Sequence, residues 1–364
     1  MIDRRSFIGA AACAAAGVGC RSIADSGRSP VYAEGPEAMK AVLLHLGRNM
    51  WCEWLPPALQ NTLVGTKHQP KTRLELKDEH WNACVKRMSE RKLNTLVIDI
   101  GEGLVFPSHP ELAVEGSWSP DRMRDEVRRL RKMGIEAVPK LNFSATHDGW
   151  LKDYHRMLTT ETYYRVQRDL IRDVAEIFEH PRYFHLGYDE EAPDWIGNRN
   201  YFVMRQGELW WHDMLYAVKC AEDAGCRAWI WSDYGWHHPE FMTRCPKSVL
   251  LSNWYYDESY GGFDIADYRA KSQKERLQNF YDLEKAGFDQ VPCGTNWIGW
   301  RRKQLGIGAD DVIGELVKLG RKVIAPERLK GFLMAPWSPC DTAENNGKNL
   351  RGIDLLAEAL GTGA

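Results

Sequence analysis

From Met39 onward short apolar runs alternate with stretches of helical period, and the two can be separated along the chain. Runs at 41–46, 95–100, 137–142, 183–187, 228–232, 249–253, 290–294 and 331–335 predict eight strands. Amphipathic stretches near 79–92, 120–133, 161–179, 207–224, 268–286 and 310–320 predict the helices between them, with a last helix near 350–360 and a short one near 239–243. Gly134, Gly225 and Gly287 each follow the last apolar turn of a predicted helix, where a left-handed C-cap is expected. Eight strands alternating with helices predict one α/β domain, a (β/α)8 TIM barrel over 39–364. An open doubly wound sheet is the structural competitor, but no Gly-x-Gly-x-x-Gly follows the first strand. The longest irregular stretch, 49–77, follows that strand, where barrel enzymes carry active-site insertions.

The first residues have a different pattern. Arg4-Arg5-Ser6-Phe7-Ile8 leads into an uncharged Ala/Gly-rich run that is too short to span a bilayer as a stable helix. This order predicts a twin-arginine export signal over 1–20, with Cys20 as the candidate lipid-anchor residue of a bacterial lipoprotein. Residues 21–38, rich in Ser, Gly, Pro and charge, predict a flexible tether. The expected location is periplasmic or membrane-anchored, with membrane contact only through lipid at Cys20.

Composition narrows the partner. A formal net charge of −2 gives no electrostatic case for nucleic acid or anionic lipid. Fifteen Trp and fourteen Tyr in 364 residues offer flat rings suited to the apolar faces of sugars as well as to a core. The predicted partner is therefore an oligosaccharide or glycan. Seven cysteines outside the leader show no Cys-x-x-Cys spacing, which predicts mostly buried thiols rather than a zinc knot or a disulfide framework. A bridge between Cys220 and Cys226 would join a helix end to the next strand and is disfavoured. His237-His238-Pro239-Glu240 has no third ligand at a suitable spacing, so no metal and no cofactor is expected.

The barrel predicts that chemistry sits at the carboxyl ends of the strands. Those ends carry Arg48, Asn49 and Trp51; Asp99 and Glu102; Lys140, Asn142 and His147; Asp189 and Glu190; Trp231, Asp233 and Trp236; Asn253, Trp254, Tyr255 and Asp257; Asn296, Trp297 and Trp300; and Trp337. Any one of these is as well explained by a capped loop or a core aromatic. As a set, polar groups and tryptophans converging from all the strands suggest a sugar site.

The fourth strand runs into three carboxylates, in Tyr-Phe-His-Leu-Gly-Tyr-Asp-Glu-Glu over 183–191. His185-x-Gly187-x-Asp189-Glu190 resembles the His-x-Gly-Gly-Asp-Glu signature of the family 20 β-N-acetylhexosaminidases. The resemblance implies Glu190 as acid/base and Asp189 as the carboxylate that orients a substrate acetamido group. It also implies that Arg48 holds sugar hydroxyls, that Tyr255-x-Asp257 stands for the late-strand Tyr-x-Asp of that family, and that Trp231, Trp254 and Trp337 wall the acetamido pocket. Asn142, Asp233 and Trp297 join the expected substrate-binding set from their strand ends, as does His185, read as a core histidine bracing Asp189.

Two departures stand out: Tyr188 replaces the second Gly, and Trp337 is followed by Ser338-Pro339 where the family has Trp-x-Glu. Glu191 competes with Glu190 as the acid, although the family register favours Glu190. Two rival functions stand beside this reading. One is a glycosidase with two protein carboxylates, Glu190 with Asp233 or Asp99, acting on sugars without an acetamido group. The other is a non-catalytic carbohydrate-binding lipoprotein.

Overall fold

Eight strands occupy the predicted positions in the computed structural model, which describes residues 38–66, 68–191, 203–256, 271–298, 310 and 312–362. They are β1 (Met39–His45), β2 (Thr95–Asp99), β3 (Glu136–Lys140), β4 (Tyr183–His185), β5 (Arg227–Trp231), β6 (Leu250–Ser252), β7 (Cys293–Gly294) and β8 (Gly331–Met334). The sheet runs in the order β6-β5-β4-β3-β2-β1-β8-β7 and its ladders are parallel. Parallel bridges Leu251↔Gln290 and Trp254↔Cys293 join β6 to β7 and close the ring, so the (β/α)8 barrel expected from the element count is what forms.

The helices are α1 (Asp78–Glu90), α2 (Pro120–Lys132), α3 (Glu161–Ile177), α4 (Glu208–Asp223), α5 (Phe241–Arg244), α6 (Lys271–Lys285), α7 (Val312–Val323) and α8 (Ala343–Leu360). Ser119, Thr160 and Thr342 cap α2, α3 and α8 by accepting the backbone N–H three residues on. Gly134, Gly225 and Gly287 sit at φ +75°, +82° and +80°, the left-handed stops predicted for α2, α4 and α6.

Two elements differ from expectation. β7 shrinks to two residues because Pro292 supplies no N–H, leaving Gln290 as an isolated bridge. α8 begins seven residues before the predicted start, which Gly347 and Gly352 had hidden from the pattern. Gly352 is there for packing: a Cβ at this position would lie 2.9 Å from the Pro336 ring.

Apolar side chains segregate by strand parity into two clusters. One fills the space between strands and helices; the other lies inside the barrel and includes Met39, Ala41, Leu43, Val97, Val138, Tyr183, Trp229, Leu250 and Leu333. All seven cysteines outside the leader are free and buried, Cys220 and Cys226 among them.

Candidate active site

The inward parity of β4, Tyr183-His185-Gly187, continues to Asp189, so this carboxylate is delivered over the barrel interior by the strand itself. Beyond His185 the backbone turns left-handed at Gly187 (φ +78°), Tyr188 (φ +69°) and Glu190 (φ +60°). Gly187 is required twice, by its φ and because a Cβ there would fall 1.9 Å from Asn142 Oδ1. Tyr188 occupies a conformation that costs a non-glycine residue about 1–3 kcal/mol, and its side-chain contacts hold it there. Its hydroxyl donates to the Asp213 carbonyl at 3.0 Å, and the Arg205 guanidinium lies 4.9 Å over its ring.

The three consecutive acids have three different environments. Asp189, 7% exposed, accepts a hydrogen bond from Asn142 Nδ2 at 2.9 Å. Glu190 is partly exposed; its backbone N–H donates to Asp233 Oδ2 at 2.8 Å. The His147 imidazole lies between the two side chains, with Nδ1 3.6 Å from Asp189 Oδ1 and Nε2 3.4 Å from Glu190 Oε2. Glu191 is buried and accounted for: it pairs with Arg205 and accepts the Ala145 N–H at 2.8 Å. The same guanidinium reaches Asp213 at 3.3 Å and donates to the Phe143 carbonyl at 2.9 Å. Glu191 is thus neutralised in the wall, which leaves Glu190 as the glutamate that faces the mouth.

Asp233, at the carboxyl end of β5, is 6% exposed and lies near Asp189. Trp254 Nε1 is 3.4 Å from its Oδ1. Burial, and after it the Asp189 charge, push its carboxyl up to about 7.

Beneath this mouth, neighbouring residues in the strand register form a polar layer inside the barrel: His45 pairs with Asp99, Asp99 with Lys140, and Lys140 with His185. Lys140 Nζ donates to Asp99 Oδ2 at 2.6 Å, and His45 Nδ1 lies 3.3 Å from the same oxygen. Burial alone would raise Asp99, but Lys140 and His45 together outweigh it and hold the carboxyl well below its usual range. Asp99 is therefore occupied as a counter-ion.

His185 Nδ1 accepts the Gly187 N–H at 3.1 Å, and burial with the nearby Lys140 charge keeps the ring neutral. The expectation that His185 braces Asp189 is corrected: it braces the turn at Gly187, while Asn142 donates to Asp189 and His147 lies 3.6 Å from it. Glu102, raised by burial, accepts the Arg48 and Asn49 backbone N–H groups at 2.8 and 2.9 Å and so shapes the loop after β1.

Aromatic rings line the mouth. Trp231 and Trp337 lie 5.9 Å apart between centroids; Trp254 packs on Trp236 at 4.5 Å and on Tyr256 at 4.9 Å, and Tyr256 reaches Trp337 at 6.4 Å. Tyr255 does not join them. Parity sends it into the cluster outside the barrel, and Tyr256 takes the inner position in line with Leu250, Ser252 and Trp254. Burial, then the neighbouring Cys293, holds the Tyr256 hydroxyl well above its ordinary value, with Asp189 adding to the effect, so it is a neutral donor.

Trp297 is half exposed, its N–H held by Thr295 Oγ1 at 2.8 Å. Arg48 lies 3.4 Å from Glu75 and 3.5 Å from Asp341. Asp341 follows Trp337 by four residues and so brings a carboxylate to this arginine although Trp-x-Glu is absent. Asp257 and Trp300 lie outside the described residues. Sequence reasoning placed His147 among the strand-end residues without a role of its own and passed over Tyr256. A lone loop histidine carries little signal, whereas extending the β6 parity by one step points to Tyr256. Among the described residues no three His, Cys, Asp or Glu side chains are grouped to hold a metal ion, and His237 and His238 approach different glutamates, Glu275 and Glu240.

No protein-family model and no curated protein sequence matches the chain. Solved structures do. The exo β-N-acetylglucosaminidase of Vibrio harveyi superposes with a TM-score of 0.55 at 12% identity over 90% of this chain and 58% of that one. The Streptomyces coelicolor β-N-acetylhexosaminidase gives 0.58 at 12% identity, over 88% and 64%. Dispersin B gives 0.52 at 15% identity, over 79% and 96%. The chain spans about three fifths of the length of the Vibrio enzyme. At these identities the likeness establishes the fold: a divergent barrel of the kind found in family 20 β-N-acetylhexosaminidases.

Proposed function

We propose that this protein is a glycoside hydrolase of the family 20 type that cleaves 2-acetamido sugars with the help of the substrate's own acetamido group. One observation carries the reading: the buried Asp189 and the partly exposed Glu190 stand side by side at the mouth with His147 between them, whereas three acids near them are taken up. Glu191 is neutralised by Arg205, Asp99 by Lys140, and Asp233 holds a proton to about pH 7. A protonated carboxyl is a poor nucleophile or base, which argues against Glu190 working with Asp233 as a second catalytic carboxylate.

In the proposed reaction Glu190 protonates the leaving oxygen while the acetamide oxygen attacks the anomeric carbon, and Asp189 accepts the acetamide N–H as positive charge develops on the ring that forms. Glu190, now ionised, takes a proton from the water that reopens this ring, giving retention. Tyr256 is a neutral donor for the acetamide oxygen, and Trp231, Trp254 and Trp337 enclose the acyl group. Arg48 and Asp341, with Asn142 and Trp297, fit the polar and aromatic needs of the sugar hydroxyls and rim. Support also comes from a neighbour of like fold, the Vibrio harveyi enzyme, which was solved with N-acetylglucosamine.

A panel of nitrophenyl glycosides with and without N-acetyl groups tests the proposal. Turnover is expected only with the acetamido sugars, with inhibition by a thiazoline that mimics the cyclised intermediate. Turnover of sugars lacking the acetamido group would replace this mechanism with the two-carboxylate one. No turnover of any aryl glycoside would leave a carbohydrate-binding protein.

Export by the twin-arginine route, with lipid anchoring at Cys20, is proposed for the leader. Arg4→Lys with Arg5→Lys is expected to retain the protein in the cytoplasm, and Cys20→Ala to release it from the membrane fraction. No helix among the described residues is long and apolar enough to cross a membrane.

A further inference from the structure

Among the described residues, Asp233 is a buried acid without a cation. Its Oδ2 accepts the Glu190 N–H at 2.8 Å, and its Oδ1 lies 3.4 Å from Trp254 Nε1. From β4 and its loop, Asp189 and Glu190 face it, and both of these meet His147 of the loop after β3. From the α6 side, Arg276 lies 4.7 Å over the Trp254 ring rather than on the carboxylate. Among the described residues no cation comes within ion-pair distance of Asp233, whereas Asp99, equally buried, has Lys140 at 2.6 Å.

A carboxyl buried in this way, with no cation beside it among the described residues, holds its proton to higher pH than an exposed acid. The anchor matters as much as the charge, because Glu190 sits at φ +60°, a conformation that a non-glycine residue keeps only when its surroundings impose it.

We propose that Asp233 is a positioning residue of this site: it fixes the strained backbone of Glu190 through Oδ2, and it does so as a protonated, neutral carboxyl. This rests on the acid and orienting roles proposed above for Glu190 and Asp189.

The first test needs no turnover. In wild-type protein the carbonyl stretch of a protonated carboxyl, followed by infrared difference spectroscopy, is expected to persist at pH 6 and to disappear as pH rises through about 7. Asp233→Asn should abolish it. Survival of the same titrating band in Asp233→Asn would overturn the proton assignment, whether or not acetamido sugars are substrates.

The second test reads the anchor by steady-state kinetics at pH 6 on an acetamido substrate. Asn, neutral and able to accept the Glu190 N–H, should lose much less kcat than Ala. Asp233→Ala should lower kcat at least about 10-fold with KM moving less than about 3-fold, since misplacing a reacting group acts on the chemical step. The wild-type inflection in kcat near pH 7 should be missing from Asp233→Asn. Equal losses in the two variants, or wild-type kcat in Asp233→Ala, would overturn the positioning role.

Discussion

The barrel has two buried polar layers, and they handle charge in opposite ways. In the lower layer Asp99 has Lys140 at 2.6 Å and His45 at 3.3 Å, and its carboxyl is held well below the usual range. In the upper layer Asp233 meets, among the described residues, N–H dipoles and a second acid, and its carboxyl rises to about 7. Exposure is 2% for Asp99 and 6% for Asp233, so burial does not separate them. The cation does. A layer with balanced charges braces the barrel, and a layer with excess acid has protons to hold and to give, as an acid/base site requires.

The largest effect expected from this contrast belongs to the upper layer. Glu190→Gln should lower the rate on unactivated glycosides by about 10²- to 10⁴-fold and spare aryl substrates whose leaving groups need no proton. Asp189→Asn leaves the acid in place but no longer stabilises the cationic intermediate, so it should slow both substrate types alike. Steady-state rates on one activated and one natural substrate separate the two variants. Equal leaving-group dependence would remove the division of roles between neighbouring residues.

Next in size is the lower layer. Lys140→Met leaves Asp99 buried without its cation, which should cost about 3–5 kcal/mol in urea unfolding at pH 7. The pH dependence should change sign as well. Because the native pKa of Asp99 is lowered, its stabilisation in the wild type is fully present above the ordinary carboxylate value and is lost as pH falls below about 4. In Lys140→Met the native pKa should be raised, so this residue would instead destabilise as pH rises through about 4 and beyond. The variant would make Asp99 behave like Asp233.

Asp233→Asn addresses the same contrast from above. With a native value of about 7 against an ordinary value near 4, native Asp233 holds a proton that the unfolded chain has already lost between those limits. Wild-type stability should therefore fall as pH rises from about 4 to 7, by at most about 4 kcal/mol, and the fall should be smaller in Asp233→Asn. Urea midpoints at pH 5 and pH 8 test this. A variant with the same slope as wild type would place the proton elsewhere.

The two layers were not equally legible in the sequence. Strands and helices were, because period-two and period-3.6 apolar patterns survive without tertiary information; the misses were where Pro292 cut β7 and where Gly347 and Gly352 hid the first turns of α8. The Asp189-Glu190 pair was legible because strand, turn and acids are contiguous. What separates Asp99 from Asp233 was not, since Lys140 is 41 residues from Asp99 and reaches it only through the β2–β3 register. The physical difference between Glu190 and Glu191 was not legible either, because it depends on Arg205, 14 residues further along the chain. Tyr188 shows the same limit. Its left-handed backbone marks the position as one where Gly would be easiest, and contacts distant in sequence, with Asp213, Arg205 and Trp210, explain how Tyr is held there.

The smallest expected effect tests parity at the end of β6, where two adjacent tyrosines lie on opposite sides of the barrel wall. Tyr256 packs on Trp254 and Trp337 and its hydroxyl feels the Asp189 charge, whereas Tyr255 lies in the cluster between strands and helices. Removing one neutral hydroxyl costs about 0.5–1.5 kcal/mol, roughly a 2- to 12-fold change in an equilibrium or rate. Tyr256→Phe should therefore lower kcat/KM on acetamido substrates within that range and leave the urea midpoint nearly unchanged. Tyr255→Phe should do the reverse, shifting the midpoint and sparing kcat/KM. The pair is informative because the sequence resemblance singles out Tyr255 and the alternation of the strand singles out Tyr256. If Tyr255→Phe instead lowers kcat/KM with stability unchanged, the inward face of β6 beyond Trp254 has been assigned to the wrong residue.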